Sequence, residues 1–308
     1  MKYSIVIPVY KSVESLEIIA EQVYALQKEL KCNFELIFVN DSPFFIDTVN
    51  TLKELSAKYN NINVLNLRKN QGQHMAILIG IAKSTGDYVI TMDDDLQHPV
   101  NEIPKLISTL ENNKDIEVAF AIPGYDKKKH SIWRNWASLM LNTIDTYFLK
   151  KPKGLIKSPF RIMTADIAKL IVNNYNAMPS VSSLLINSTD SIINVKVSHN
   201  KREFGKSNYT LPKMISLSLN NIIHYSSLPL KVVGMIGFFG FLFSLLFILY
   251  VTIERIFFGL SFPGYFSTVS LISFFGGINL LGIGVVGEYL IRIIKEQQKT
   301  PLNDYLKN

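Results

Sequence analysis

One cysteine in 308 residues, Cys32, has no partner in the chain, so a disulfide-stapled extracellular scaffold is excluded as the organising principle. The lone thiol reads as a small buried side chain in a reduced, cytosolic domain. Long basic runs interleaved with aromatics are also missing, although Lys and Arg outnumber Asp and Glu by 32 to 25, a formal net charge of +7. That pattern argues against nucleic acid and leaves an anionic lipid surface or anionic substrates as partners. The five histidines fall in no spaced His/Cys cluster, which argues against a zinc site; His130, His199 and His224 read as surface or packing residues. The apolar run that stops at Pro8 is too short for a signal peptide and reads as a strand, so the bulk of the chain is expected inside the cell.

Charge is absent from two stretches. Residues 232–253 and 266–287 contain no Asp, Glu, Lys, Arg or His, and each is long enough to cross a bilayer, which takes about 20 residues. Between them stand only Glu254 and Arg255. Lys201, Arg202, Lys206, Lys213 and Lys231 precede the pair, and Arg292, Lys295, Lys299 and Lys307 follow it. Positive residues favour the cytoplasmic side, so the expected topology is a hairpin with both termini cytoplasmic. Residues 211–228 space Leu211, Met214, Ile215, Leu217, Leu219, Ile222 and Ile223 as one helix face; an interfacial helix and an ordinary packed helix both fit.

The first part of the chain has a different rhythm. Ser4–Ile7, Phe34–Val39, Val64–Leu67 and Tyr88–Met92 are short apolar runs, and helical spacing over 13–30, 48–59 and 72–84 separates them. Strands apolar on both faces belong to an open α/β sheet covered by crossover helices. Further on, a helix near 132–149, a strand at 160–163, a helix near 165–174 and a strand at 192–198 are predicted. Ligands in such folds bind beyond the carboxyl ends of the strands, so chemistry is expected in the loops after Tyr10, Val39 and Met92.

The last of these loops is Met92-Asp93-Asp94-Asp95-Leu96-Gln97-His98-Pro99. Three adjacent carboxylates repel unless a cation neutralises them. Asp93 and Asp95 can converge on one ion, with Gln97 adding a neutral oxygen at the same spacing. Such ligands suit Mg²⁺ or Mn²⁺ held jointly with substrate phosphates. The alternative is an acidic turn that caps the helix beginning near Pro99.

Ser4-Ile5-Val6-Ile7-Pro8-Val9-Tyr10, Phe38-Val39-Asn40-Asp41-Ser42, Arg68-Lys69-Asn70-Gln71-Gly72 and Met92–Pro99 resemble, in order and spacing, inverting family-2 glycosyltransferases of the GT-A fold. Phe160-Arg161-Ile162-Met163, Arg202–Tyr209 and the two apolar stretches extend the resemblance toward polyprenyl-phosphate glycosyltransferases, the group of dolichol-phosphate mannose synthase and undecaprenyl-phosphate sugar transferases. The resemblance implies a cytoplasmic GT-A catalytic domain over 1–210, the amphipathic helix at 211–228, two transmembrane helices within 229–291 and a cytoplasmic tail at 292–308. It implies a UDP-, GDP- or dTDP-linked sugar as donor, polyprenyl phosphate as acceptor, a homo-oligomer, and a place in cell-surface glycan assembly or modification. Pro8, Tyr10 and Asp41 line the nucleotide pocket in this reading, with Asp41 on the base. Asp93, Asp95 and Gln97 hold the metal; Asp93, Asp95 and Arg202 carry catalysis. Asn70, Gly72, Asp94, Arg134, Ser138, Arg161 and Ser207 complete the substrate-binding set, Arg134/Ser138 and Arg202/Ser207 as phosphate-gripping elements.

The sequence departs from the family at Asn40, where a second Asp is common, at Asn208, where Lys is common, at Pro123, where an Arg is common (Lys127–Lys129 stand nearby), and at Pro159, where relatives carry an Asp viewed as a candidate base. Loss of a base is chemically tolerable, because a lipid phosphate is anionic near neutral pH. Two alternatives stay open: a transferase with a glycan acceptor, although no Gln-x-x-Arg-Trp element is present, and an inactive membrane scaffold or sugar-nucleotide sensor, suggested by Pro123 and Pro159.

Overall fold

A computed structural model describes residues 1–124, 152, 154–177, 179–200, 228–258 and 264–307. The chain divides into two compact units, Met1–Ile215 with Lys299–Asn308, and Ser216–Gln298.

The first unit is built on one seven-stranded sheet: β1 (Lys2–Val9), β2 (Asn33–Asn40), β3 (Ile62–Asn66), β4 (Tyr88–Thr91), β5 (Val118–Pro123), β6 (Arg161–Thr164) and β7 (Ile192–Val197), in the spatial order β3-β2-β1-β4-β6-β5-β7. β1 pairs in parallel with β2 and β4, and β2 with β3. β6 runs antiparallel to both β4 and β5, so the sheet is mixed where the apolar runs alone suggested a parallel one.

Period-two alternation assigns the strand residues to two layers. Ile5, Ile7, Leu36 and Phe38 share a core with Leu16, Ile19 and Val23 of α1 (Glu14–Leu30) and with Ile103 and Leu106 of α4 (Ile103–Asn112). α2 (Ile46–Lys58) packs beside α1. The opposite face carries α3 (Gln73–Ala82), pressed so closely onto the sheet that a Cβ on Gly80 would lie 2.3 Å from Val6 Cγ1 and 2.9 Å from Val39 Cγ2. α5 (Ala165–Asn173) and α6 (Val181–Ser188) cover α3 from outside. Enclosure on both sides explains why α3 is apolar all round, with every residue from Met75 to Ile81 buried. Its depth also fixes where its first residues point, at the carboxyl ends of β1, β2 and β4.

In the second unit, α7 (Leu228–Phe258) and α8 (Tyr265–Gln297) contain the two uncharged stretches. Gly240 approaches Phe275 and Gly282 approaches Val233, so the helices run antiparallel. Phe238, Phe239, Ile272, Leu280 and Ile283 are each at least 59% exposed. Among the described residues one span, Phe274–Gln297, is long and apolar enough to cross a membrane, by length and composition. The helices expected near 132–149 and at 211–228 lie outside the described residues, as does the connection between α7 and α8.

Candidate functional site

Three strand ends meet at one edge of the sheet. The β1–β2 register ends on Val9 opposite Asn40, and Asp41 N–H donates to the Val9 carbonyl at 2.8 Å. Met92 N–H donates to the Val6 carbonyl at 3.3 Å. Tyr10, Asp41 and Asp93 therefore stand in adjacent loops, as the α/β rule requires. Pro8 is buried within β1, and Tyr10, just beyond it, is 49% exposed.

Asp41 is held by the loop that follows β3. Its Oδ1 accepts from Gln71 N at 2.6 Å; its Oδ2 accepts from Gly72 N at 2.9 Å and from Asn70 Nδ2 at 3.0 Å. Burial raises its pKa, against the two N–H donors that favour the charged form. A carboxylate has about four acceptor positions, and described residues take three of them here. Gly72 adopts φ +86, a left-handed backbone suited to glycine, and this turn aims its N–H at Asp41. Asn40 is fully buried. Its Oδ1 accepts from Ser42 N at 2.9 Å and its Nδ2 donates to Asn66 Oδ1 at 2.9 Å, a bond that an Asp at this position lacks the donor to make. The departure at residue 40 is thus structural.

Asp93, Asp94 and Asp95 of the acidic loop are each partly exposed. Asp93 Oδ1 accepts from Gln73 Nε2, the first residue of α3, at 2.6 Å. Burial, then the charges of Asp95 and Asp94, push the pKa of Asp93 up to about 7, against the attraction of Arg161. Asp94 accepts from the Ser12 hydroxyl and the Tyr10 main chain, tying the loop after β4 to the loop after β1; burial chiefly raises its pKa to about 6, and its buried Oδ2 has no hydrogen-bond partner among the described residues. Asp95 Oδ1 accepts from Gln97 N at 3.1 Å across Leu96, whose φ of 58 is uncommon for a side chain of that size. The end of β7 fastens the same loop: Asn200 N donates to the Gln97 carbonyl at 3.0 Å. The helical segment that follows takes no side-chain cap, neither at its first turn, Val100–Glu102, nor at α4. Capping is therefore not what the aspartates do.

Arg161, which the resemblance assigned to substrate, is placed inside the protein at 1% exposure. Its Nε donates to Thr91 Oγ1 at 2.9 Å and one terminal nitrogen to Ser182 Oγ at 2.8 Å. Burial lowers its pKa to about 10, while the charge of Asp93 raises it. Thr91 Oγ1 in turn donates to the Pro159 carbonyl at 2.8 Å, so the residue standing in place of the candidate base supports the arginine. His74 and His98 are both shifted to about 4, chiefly by burial, and stand neutral near pH 7. His98 packs against Phe160 and against His199, each with ring centroids 5.2 Å apart.

The donor set fits a hard divalent cation. Among the described residues no three His, Cys, Asp or Glu side chains form a closed cage, but Mg²⁺ and Mn²⁺ are typically held by one or two carboxylates together with substrate phosphates. Asp93 and Asp95 would supply that minimum, and the raised pKa of Asp93, together with an Asp94 Oδ2 that has no hydrogen-bond partner among the described residues, fits a site that a cation completes. The structure brings Pro8, Tyr10, Asp41, Asn70, Gly72, Asp93, Asp94, Asp95 and Gln97 to this edge of the sheet. Arg134, Ser138, Arg202 and Ser207 lie outside the described residues, as do Lys127–Lys129. Gln71, Gln73, Ser12 and Ser182 were not singled out in the sequence. Gln71 acts through its main-chain N–H, which leaves no compositional trace.

Comparisons with known proteins agree with this geometry. Undecaprenyl-phosphate 4-deoxy-4-formamido-L-arabinose transferase of Photorhabdus laumondii is 29% identical over 306 residues, covering 97% of this chain and 92% of the relative. The protein of the same description from Yersinia enterocolitica is 30% identical, covering 97% and 91%. Among solved structures, glucosyl-3-phosphoglycerate synthase of Mycobacterium tuberculosis, in complex with Mn²⁺, UDP and phosphoglyceric acid, superposes with a TM-score of 0.53 at 17% identity over 72% of this chain and 76% of that one. Mannosyl-3-phosphoglycerate synthase of Rubrobacter xylanophilus gives 0.52 at 12% identity, over 76% and 75%. At such identities the likeness speaks for the fold, which is that of GT-A enzymes. The family profile for glycosyl transferase family 2 matches residues 4–169, and the chain belongs to that family.

Proposed function

We propose that this glycosyltransferase moves a sugar from a nucleotide donor onto polyprenyl phosphate, with inversion, at the cytoplasmic face of a membrane crossed by α7 and α8. The observation that carries the reading is the acidic loop beside the Asp41 pocket: three adjacent carboxylates, Asp93, Asp94 and Asp95, at a ligand-binding sheet edge call for a cation and a diphosphate together. The lipid acceptor is supported by similarity to undecaprenyl-phosphate transferases that runs through the helices, and by the exposed apolar side chains of those helices. The flanking lysines and arginines support cytoplasmic termini. The glycines of the two helices, Gly234, Gly237, Gly240, Gly276, Gly277, Gly282, Gly284 and Gly287, allow close helix packing, which fits a homo-oligomer.

In this reading Asp41, fixed by Asn70–Gly72, contacts the base, which sets the donor's orientation. Asp93, Asp95 and Gln97 would hold Mg²⁺ or Mn²⁺, whose contribution is to neutralise the departing diphosphate. Arg134/Ser138 and Arg202/Ser207 grip the phosphates of donor and acceptor. An oxygen of the lipid phosphate attacks the anomeric carbon in line, the bond to the nucleoside diphosphate breaks with its electron pair going to the leaving oxygen, and the configuration inverts. The attacking oxygen carries no proton, so Pro159 costs the reaction no base. Alignment and charge neutralisation are what the protein supplies.

Purified protein given undecaprenyl phosphate, Mg²⁺ and a panel of UDP-, GDP- and dTDP-sugars is expected to release nucleoside diphosphate with one of them, in step with formation of a lipid-linked sugar seen by mass spectrometry. Release that needs a water-soluble sugar and ignores the lipid would contradict the acceptor assignment.

A further inference from the structure

Residues 299–307 continue directly from α8 and pack within the catalytic unit. Leu306 bridges Leu67 in antiparallel fashion. On either side of that pair, Lys307 N donates to the Asn66 carbonyl at 2.8 Å and Arg68 N to the Tyr305 carbonyl at 2.9 Å. The Arg68 Nε adds a bond to the Asp304 carbonyl at 3.1 Å. These bonds cover the outer side of the chain where β3, an edge strand of the sheet, ends at Asn66 and runs on through Leu67 and Arg68. Earlier in the segment, the Tyr175 hydroxyl donates to the Thr300 carbonyl at 2.8 Å and the Lys299 ammonium donates to the Tyr175 carbonyl at 3.0 Å. Between these two anchors a 3-10 turn, Leu302–Tyr305, packs on α3 with Leu302 8% exposed.

Both surfaces that the segment grips lead to the site. Leu67 and Arg68 run straight into Asn70, Gln71 and Gly72, the three donors on Asp41. α3 opens with Gln73, the donor on Asp93. The loop after an edge strand has a sheet neighbour on one side alone, here through Leu67 N to the Asn40 carbonyl at 3.0 Å; the segment supplies the other side. We propose that Lys299–Lys307 is a strap that positions the donor pocket: docked, it sets the Arg68–Gly72 loop and the first turn of α3 so that Asp41 and Asp93 face the donor together; released, it loosens the grip on the donor and leaves acceptor handling unchanged. The proposal rests on the reading of Asp41 and Asp93 as the donor side of the site.

The test uses the full chain in detergent with two variants at separate anchors. Leu302→Asp puts a charge into the α3 contact, and Lys307→Pro removes the N–H that bonds Asn66. Lys307→Ala, which keeps that N–H, is the control. UDP, GDP and dTDP are each titrated calorimetrically with Mn²⁺, and donor KM, acceptor KM, kcat and thermal unfolding are recorded. For both variants the affinity for the preferred nucleotide is expected to weaken, and donor KM to rise, by about tenfold, with acceptor KM and kcat within about twofold and the control unchanged. A fall in kcat and unfolding temperature, with donor and acceptor KM rising together, overturns the proposal in favour of a merely structural tail. Wild-type nucleotide affinity in a variant whose strap amides have lost protection from hydrogen exchange overturns it too. Wild-type protein that binds none of the three nucleotides sinks the donor-site reading and the strap's role with it, a result distinct from failure of the strap alone.

Discussion

Asp95→Asn is expected to cut turnover roughly a thousandfold while leaving the fold as stable as before, or more so. Asparagine keeps an oxygen able to accept from Gln97 N, the bond that Asp95 Oδ1 makes at 3.1 Å, so the loop retains its turn. What is lost is one charge. Without a cation that charge is a burden: it is among the reasons Asp93 sits at about 7 instead of the ordinary 3.8. A carboxyl whose pKa is raised on folding is best tolerated while protonated. Stability of protein in EDTA should therefore fall as pH rises from about 4 to about 7, and Asp95→Asn should flatten that decline. With donor and Mg²⁺ present, the same charge is half of the carboxylate pair available to the ion. Saturating kcat and EDTA unfolding curves at several pH values, measured on both proteins, should thus move in opposite directions. A variant with a tenth or more of wild-type turnover, or one that loses activity and stability together, would contradict this assignment.

Arg161→Met is expected to act on stability first, by about 3 kcal/mol, because it leaves Asp93 buried without its compensating charge. The guanidinium is 1% exposed, bonded to Thr91 and Ser182, and 5.9 Å from the centroid of the Phe120 ring. A planar fork bonded in two directions is not reproduced by lysine, so Arg161→Lys should recover little. The activity that survives should have its acid limb shifted to higher pH, since Asp93 loses the attraction that lowers its pKa. Urea unfolding and a kcat/KM pH profile check both parts. Unchanged stability with a rise confined to donor KM would show instead that Arg161 touches the donor directly.

The layout of the first four strands was readable because crossover helices leave strands such as Ile5–Ile7 and Phe34–Val39 apolar on both faces. Strand direction was not readable in the same way. β6 is the four residues Arg-Ile-Met-Thr, too short to signal a direction, so its antiparallel pairing is a property of the path taken to reach it. α6, Val-Ser-Ser-Leu-Leu-Ile-Asn-Ser, has too little polar contrast and too much serine to announce a helix. At the site, the carboxylate spacing at Asp93 and Asp95 and the Asp41 motif stood out because such groups are expensive to bury. Their supports did not. Gln71 and Gly72 act through main-chain N–H groups, and the strap through main-chain bonds at Asn66, Arg68, Tyr305 and Lys307, which any residue but proline can make. Arg161 was visible as a motif residue, but its inward direction follows from the pairing of β6 with β4, which carries Thr91.

The central claim is that the acidic loop and a donor's paired phosphates share one divalent cation. Its most direct test is calorimetric titration of the nucleoside diphosphate that supports turnover into full-length protein, once with Mn²⁺ and once with EDTA. Binding that needs Mn²⁺, and that disappears in Asp95→Asn, is the predicted result. Equal affinity with and without the ion would contradict it.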